Sequence, residues 1–131
     1  MSEKIAIIGL GYVGLPLARL FATKFSVVGF DINQQRISEL NNGIDLTLEV
    51  EEELLKSVLV SQSTSEKGLY CSNKLEDISD CNYFIVTVPT PVDKHNKPDL
   101  TPLYKASETV GKVLKKGELI RAIKSIRLKK Y

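Results

Sequence analysis

Six residues, Gly9-Leu10-Gly11-Tyr12-Val13-Gly14, constrain this chain more than any other stretch. Before them runs Lys4-Ile5-Ala6-Ile7-Ile8, a short apolar run that reads as a buried strand. After them, Leu15 to Lys24 carries Leu17, Leu20 and Phe21 and reads as a helix packed on a sheet. A G-x-G-x-x-G placed where a strand turns into a helix is the context of a dinucleotide-binding turn. Gly9 permits the tight turn, Gly11 lets backbone approach a pyrophosphate, and Gly14 lets helix and strand pack closely. The helix N-terminus then offers free N–H groups and a positive dipole end to the anion. Pro16 fits the first helical turn, where its missing N–H has no intrahelical role.

A second strand, Ser26-Val27-Val28-Gly29-Phe30, ends at Asp31. An acidic residue about 20 positions beyond the glycine turn accepts hydrogen bonds from a ribose 2′-OH. Its carboxylate repels a 2′-phosphate, so Asp31 favours NAD over NADP; alternatively it is an ordinary turn residue ahead of Asn33. Asn33 is a suitable cap for a helix carrying Ile37 and Leu40, which Asn41-Asn42-Gly43 stops. Arg36 falls in that helix's first turn. It is either a solvated surface charge or a guanidinium covering the adenine or ribose edge.

Further on, Glu49 to Leu59 has helical spacing, Leu69 to Ser72 is a candidate strand, and Lys74 to Asp80 is a short helix or turn. Tyr83 to Val88 reads as the strongest strand, and Pro89-Thr90-Pro91 forces the chain out of the sheet. A doubly wound parallel sheet of order 3-2-1-4, with helices on both faces, sets this fourth strand beside the first. Its carboxyl end then borders the crevice, with Val88, Pro89 and Thr90 near a ligand. A final helix is expected with Thr101 as cap, Pro102 in first position, and Leu103, Ala106, Val110, Val113 and Leu114 buried. Gly117 ends it, and architecture calls for a fifth strand next.

At 131 residues the chain is one domain's worth, with ordinary hydrophobic (43%) and charged (26%) fractions. The formal charge of +2 is set by five basic residues and one acid after Gly117; residues 1–117 alone are mildly acidic. That body gives no general reason to bind nucleic acid. No run is long enough to span a membrane and no signal peptide precedes the first strand, so a cytoplasmic location is expected. Cys71 and Cys81, with no Cys/His cluster, suggest structural thiols rather than a metal site. His95, the sole histidine, reads as a solvated loop residue.

Assembled, these segments resemble the nucleotide-sugar dehydrogenases, the UDP-glucose/GDP-mannose dehydrogenase family. Ile5 to Ala18 resembles its opening; Phe30-Asp31-Ile32-Asn33 through Arg36-Ile37 resembles its second-strand motif. Val88-Pro89-Thr90-Pro91 followed by Lys97-Pro98-Asp99-Leu100 resembles the stretch after its fourth strand. The look is closest to the branch oxidising UDP-N-acetylhexosamines for polysaccharide synthesis. The resemblance implies a Rossmann fold that binds NAD. The implied cofactor-binding residues are the turn Gly9, Leu10, Gly11, Tyr12, Val13 and Gly14, then Asp31 and Arg36, then Val88, Pro89 and Thr90. It also implies oxidation of a sugar C6 alcohol to a carboxylate through a cysteine thioester.

The resemblance weakens after Gly117. The expected division is a partial NAD-binding domain over 1–117 and a departing basic tail over 118–131, as in a truncated or frameshifted reading frame. Leu119, Ile123 and Ile126 have helical spacing there, so a basic amphipathic helix is one alternative. Neither cysteine has the context of the family's nucleophile, so no catalytic residue and no metal ligand is expected, and the chain alone is expected to be inactive. The competing reading is a non-catalytic remnant that self-associates through the sheet edge where strand five is missing. A β-hydroxyacid or 6-phosphogluconate-type dehydrogenase shares the glycine turn but leaves Val88 to Pro91 with Pro98-Asp99-Leu100 unexplained.

Overall fold

The computed structural model describes residues 3–62, 64, 66–88, 91–92 and 94–113, and the backbone of 119–122. Pro89, Thr90, Leu114 and Gly117 lie outside the described residues, as does the tail after 122.

Strand β1 (Lys4–Ile8) leads through the glycine turn into helix α1 (Gly14–Phe21), and β2 (Ser26–Phe30) follows. Then come α2 (Gln34–Asn41), α3 (Glu52–Val58), β3 (Gly68–Ser72), a 3-10 turn (Leu75–Ile78), β4 (Tyr83–Val86), α4 (Thr101–Val113) and β5 (Leu119–Ala122). All neighbouring strands are parallel, in the order β3-β2-β1-β4-β5. The expected 3-2-1-4 arrangement is present, a Rossmann-type doubly wound sheet.

The fifth strand corrects one expectation. The edge of β4 is paired, with Tyr83 opposite Leu119 and Val86 opposite Ala122. An open parallel edge carries a row of unmet N–H and C=O groups, and a segment delivered by α4 to that edge satisfies them as strand whatever its helical spacing. Residues 119–122 are therefore strand rather than amphipathic helix.

Strand alternation sorts the core into two layers. Ile5, Ile7 and Val27 face α1, α2 and α3, where Leu15, Ala18, Ile37, Leu40 and Leu55 complete one layer. Ala6, Ile8, Val28 and Phe84 face the other way, against Ile78 and, on α4, Ala106 and Val110. Both layers are apolar because a central parallel sheet is covered on both faces. Asn33 caps α2, its side chain accepting from the Arg36 N–H at 3.2 Å. At α4 the cap differs from expectation. Asp99 Oδ1 accepts from the Thr101 N–H at 3.0 Å, and Thr101 is the first helical residue. Leu100 O accepts the first helical bond, from the Tyr104 N–H at 2.9 Å, so Leu100 holds the cap position and Asp99 forms an Asx turn just ahead of it. Among the described residues no helix is long and apolar enough to cross a membrane.

Candidate functional site

The site is built around the loop joining β1 to α1. Gly9 has φ +99°, a conformation that L side chains rarely adopt. Gly14 packs so close to the loop that a Cβ there would collide with Gly9 O and Thr87 Oγ1. At Gly11 the reverse holds: a Cβ would meet nothing within 4 Å. Two glycines in one hexapeptide are thus demanded by the fold, and the third leaves open space on the surface of the turn.

Buried polar bonds hold the loop in shape. The Gly9 N–H donates to Phe30 O at 2.8 Å. The Thr87 hydroxyl donates to Gly9 O at 2.8 Å, and the Leu10 N–H to Asp31 Oδ2 at 2.9 Å. Arg36 Nε donates to Leu10 O at 2.9 Å. Beyond Leu10 the pattern stops: among the described residues, the N–H groups of Gly11, Tyr12 and Val13 donate to no protein acceptor. The N-cap position of α1 is Val13, which has no side-chain oxygen to satisfy them. A helix start left uncapped beside open space is a ready anion site.

A cavity of about 480 Å³ opens here. Gly9, Leu10, Gly11, Asp31, Arg36 and Val88 line it, so the structure brings these six expected site residues together. Gly14 is buried beneath the loop, Val13 is half-buried at the helix start, and Tyr12 is exposed, all three outside the cavity lining. Pro89 and Thr90 fall outside the described residues. His95 is exposed and also outside the lining.

Both oxygens of Asp31 already accept backbone N–H groups, from Leu10 at 2.9 Å and from Asn33 at 3.0 Å. Each carboxylate oxygen keeps a second lone pair for a ligand hydroxyl. Arg36 is not a solvated surface charge: it is 9% exposed. Its Nη1 bonds Asp45 Oδ1 at 2.8 Å, and its Nη2 is buried without a partner. The guanidinium is turned inward, bracing the loop.

Asp45, which the sequence pattern did not single out, is the anchor of that brace. Its side chain is fully buried. Besides Arg36 it accepts from the Thr47 N–H and hydroxyl and from the Glu49 and Val50 N–H groups. Burial works to raise its pKa, but the bonds from Thr47, Arg36 and Val50 outweigh it and hold the carboxyl at about 2. The available signal was Asp45-Leu46-Thr47, a local Asx-turn pattern. Thr87 gave no such signal, because a threonine in a strand reads as a β-former. The far wall of the cavity is Asp99 and then α4, through Thr101, Pro102, Lys105, Ala106 and Thr109. Cys71 and Cys81 are buried and form no disulfide, and burial pushes Cys71 up to about 12, which removes it as a thiolate nucleophile.

The open position at Gly11, the unpartnered N–H groups and the carboxylate at the end of β2 fit a dinucleotide diphosphate and its ribose. Residues 3–127 match the model of the UDP-glucose/GDP-mannose dehydrogenase family, NAD binding domain. UDP-N-acetyl-D-glucosamine 6-dehydrogenase of Pseudomonas aeruginosa is 59% identical over 117 residues, covering 89% of this chain and 26% of that protein. Its namesake from Salmonella typhi is 54% identical over the same length. The solved structure of UDP-D-ManNAc dehydrogenase from Pyrococcus horikoshii superposes with a TM-score of 0.82 at 37% identity, covering 92% of this chain and 28% of that one. This chain spans about a quarter of the length of the curated relatives it matches. It belongs to the UDP-glucose/GDP-mannose dehydrogenase family, and what it carries is the family's NAD-binding domain.

Proposed function

We propose that this chain is the cofactor-holding portion of a dehydrogenase acting on a UDP-N-acetylhexosamine. The N–H groups of Gly11, Tyr12 and Val13 donate to the diphosphate, with Gly9, Leu10 and Gly14 shaping the turn that presents them. Asp31 accepts from a ribose hydroxyl and rejects a 2′-phosphate by like-charge repulsion. Arg36 keeps the loop in place on the ribose side, and Val88 with Pro89 and Thr90 borders the crevice. NAD, when bound, supplies the hydride acceptor. The whole protein oxidises the sugar C6 alcohol to a carboxylate for polysaccharide precursors in the cytoplasm, away from membranes and nucleic acid. The catalytic cysteine and sugar site belong to the three-quarters of the relatives' length outside this chain, so the chain alone holds cofactor without turnover.

The observation that carries this reading is the pairing of an empty Cβ position at Gly11 with unbonded N–H groups, 2.9 Å bonds fixing both sides of Leu10. Calorimetric titration of the 131-residue chain with NAD and NADP tests it. Weak NAD binding, preferred over NADP, is expected; absence of NAD binding or a preference for NADP overturns it. Self-association through a sheet edge is the second reading, with β3 and β5 as the edges concerned. Sizing chromatography over a concentration series removes it if the chain elutes as a monomer throughout.

A further inference from the structure

We propose that Asp45 is a positioning residue for dinucleotide binding, acting through Arg36 on the one peptide unit that presents the Gly11 N–H. A trans peptide is planar, so its C=O and N–H point in opposite directions. No peptide bond in the described chain is cis. Whatever holds Leu10 O therefore aims the Gly11 N–H. The holder is Arg36 Nε, at 2.9 Å. The peptide before it is pinned at both ends, Gly9 O by Thr87 and the Leu10 N–H by Asp31. The Leu10–Gly11 peptide is pinned at its oxygen, and among the described residues its N–H meets no protein acceptor.

Arg36 is itself a long side chain with several rotamers, and Asp45 selects one. Nη1 bonds Asp45 Oδ1 at 2.8 Å, while Glu39 stands farther off at 3.8 Å. Asp45 cannot drift, because Thr47, Glu49 and Val50 hold both its oxygens. The relay runs from a buried carboxylate on the loop after α2, through a guanidinium, to the carbonyl of the peptide whose N–H belongs to Gly11, a residue of the cavity lining. Asp45 does not line the cavity, so its influence on the ligand passes through Arg36.

This inference rests on the reading that the cleft takes NAD, and the test separates the two. NAD affinity of the full chain is measured calorimetrically for wild type, Asp45→Asn, Thr47→Val and Val58→Ala, together with the Gly11 amide resonance by NMR. Asp45→Asn keeps the shape and removes the charge; an NAD affinity about tenfold weaker is expected, the equivalent of about 1.4 kcal/mol. A displaced or broadened Gly11 amide before any ligand is added is expected with it. Thr47→Val removes one hydroxyl bond to Asp45 and is expected to weaken NAD by about twofold to threefold, which decides the matter if Asp45→Asn fails to fold. Val58→Ala, a core truncation in α3, lowers stability and is expected to leave NAD affinity and the Gly11 amide in place. Unchanged affinity in a folded Asp45→Asn or in Thr47→Val overturns the proposal, as does an equal loss in Val58→Ala. Wild type that takes no NAD overturns the cleft reading and this relay together.

Discussion

The two walls of the cleft are made by different physics. The wall formed by the β1–α1 turn, β2 and α2 is fixed by buried polar bonds: Thr87 on Gly9, Asp31 and Arg36 on either side of Leu10, and Asp45 behind Arg36. The wall formed by α4 is held to the sheet by Ala106 and Val110, while its cleft-facing Lys105 and Thr109 are not buried. Buried hydrogen bonds are directional and costly to leave unmade, so the first wall has one geometry. Apolar contacts are non-directional, so the second tolerates change. The glycine-turn wall is thus preorganised, and the opposite face is free to vary.

Gly14→Ala attacks the rigid wall where it has no room. The new Cβ lands on Gly9 O and Thr87 Oγ1, and a loss of about 3 kcal/mol or more is expected, read from urea unfolding, with NAD binding lost alongside. Next in size is the acid limb of stability. The folded Asp45 pKa of about 2 lies below the ordinary carboxylate value of about 3.9. A depressed pKa adds stability that is fully present above pH 4 or so and is lost as pH falls toward 2. The linked amount is on the order of 2 kcal/mol. Unfolding midpoints measured across that window are expected to fall in wild type and to fall less steeply in Asp45→Asn.

Gly11→Ala is the sharpest counterpart to Gly14→Ala. Its Cβ meets nothing and its φ is not positive, so stability is expected to stay within about 0.5 kcal/mol of wild type. NAD affinity is expected to drop, because the methyl fills the space the diphosphate needs; equal NAD binding in Gly11→Ala would move the ligand elsewhere. Smallest is Lys105→Ala on the α4 wall. An exposed helix position costs about 0.5 kcal/mol or less. NAD affinity is expected to move by less than about threefold, the free energy of one screened surface charge. A larger change would show the α4 wall gripping the cofactor as firmly as its opposite does.

Much of this was legible in the chain because it is local. The β1 turn, β2 with Asp31, the Asn33 cap and the course of β4 follow from spacing within a few residues. Thr101, the expected α4 cap, is the first helical residue instead, and the carboxylate of Asp99 holds its N–H, a choice that only the folded geometry makes. After Gly117 the architecture called for a fifth strand, while the residues themselves pointed to a helix or a departure from the family. Strand β5 exists because β4 has an edge to fill, which no window of the tail contains.

The sequence by itself determined the parallel order of the first four strands and the glycine turn that joins the first of them to its helix. Glycine tolerance, apolar periodicity and the acidic end of β2 are properties of neighbouring residues, and they survive in any context. Tertiary structure decided which polar groups brace that turn. Thr87 reaches Gly9 across 78 positions and Arg36 reaches Leu10 across 26, and burial turns each of these bonds from optional to obligatory. Arg36 could be either a surface charge or a ligand contact while only its position was known. The desolvation around it, and the Asp45 carboxylate waiting there, made it the strut behind the loop.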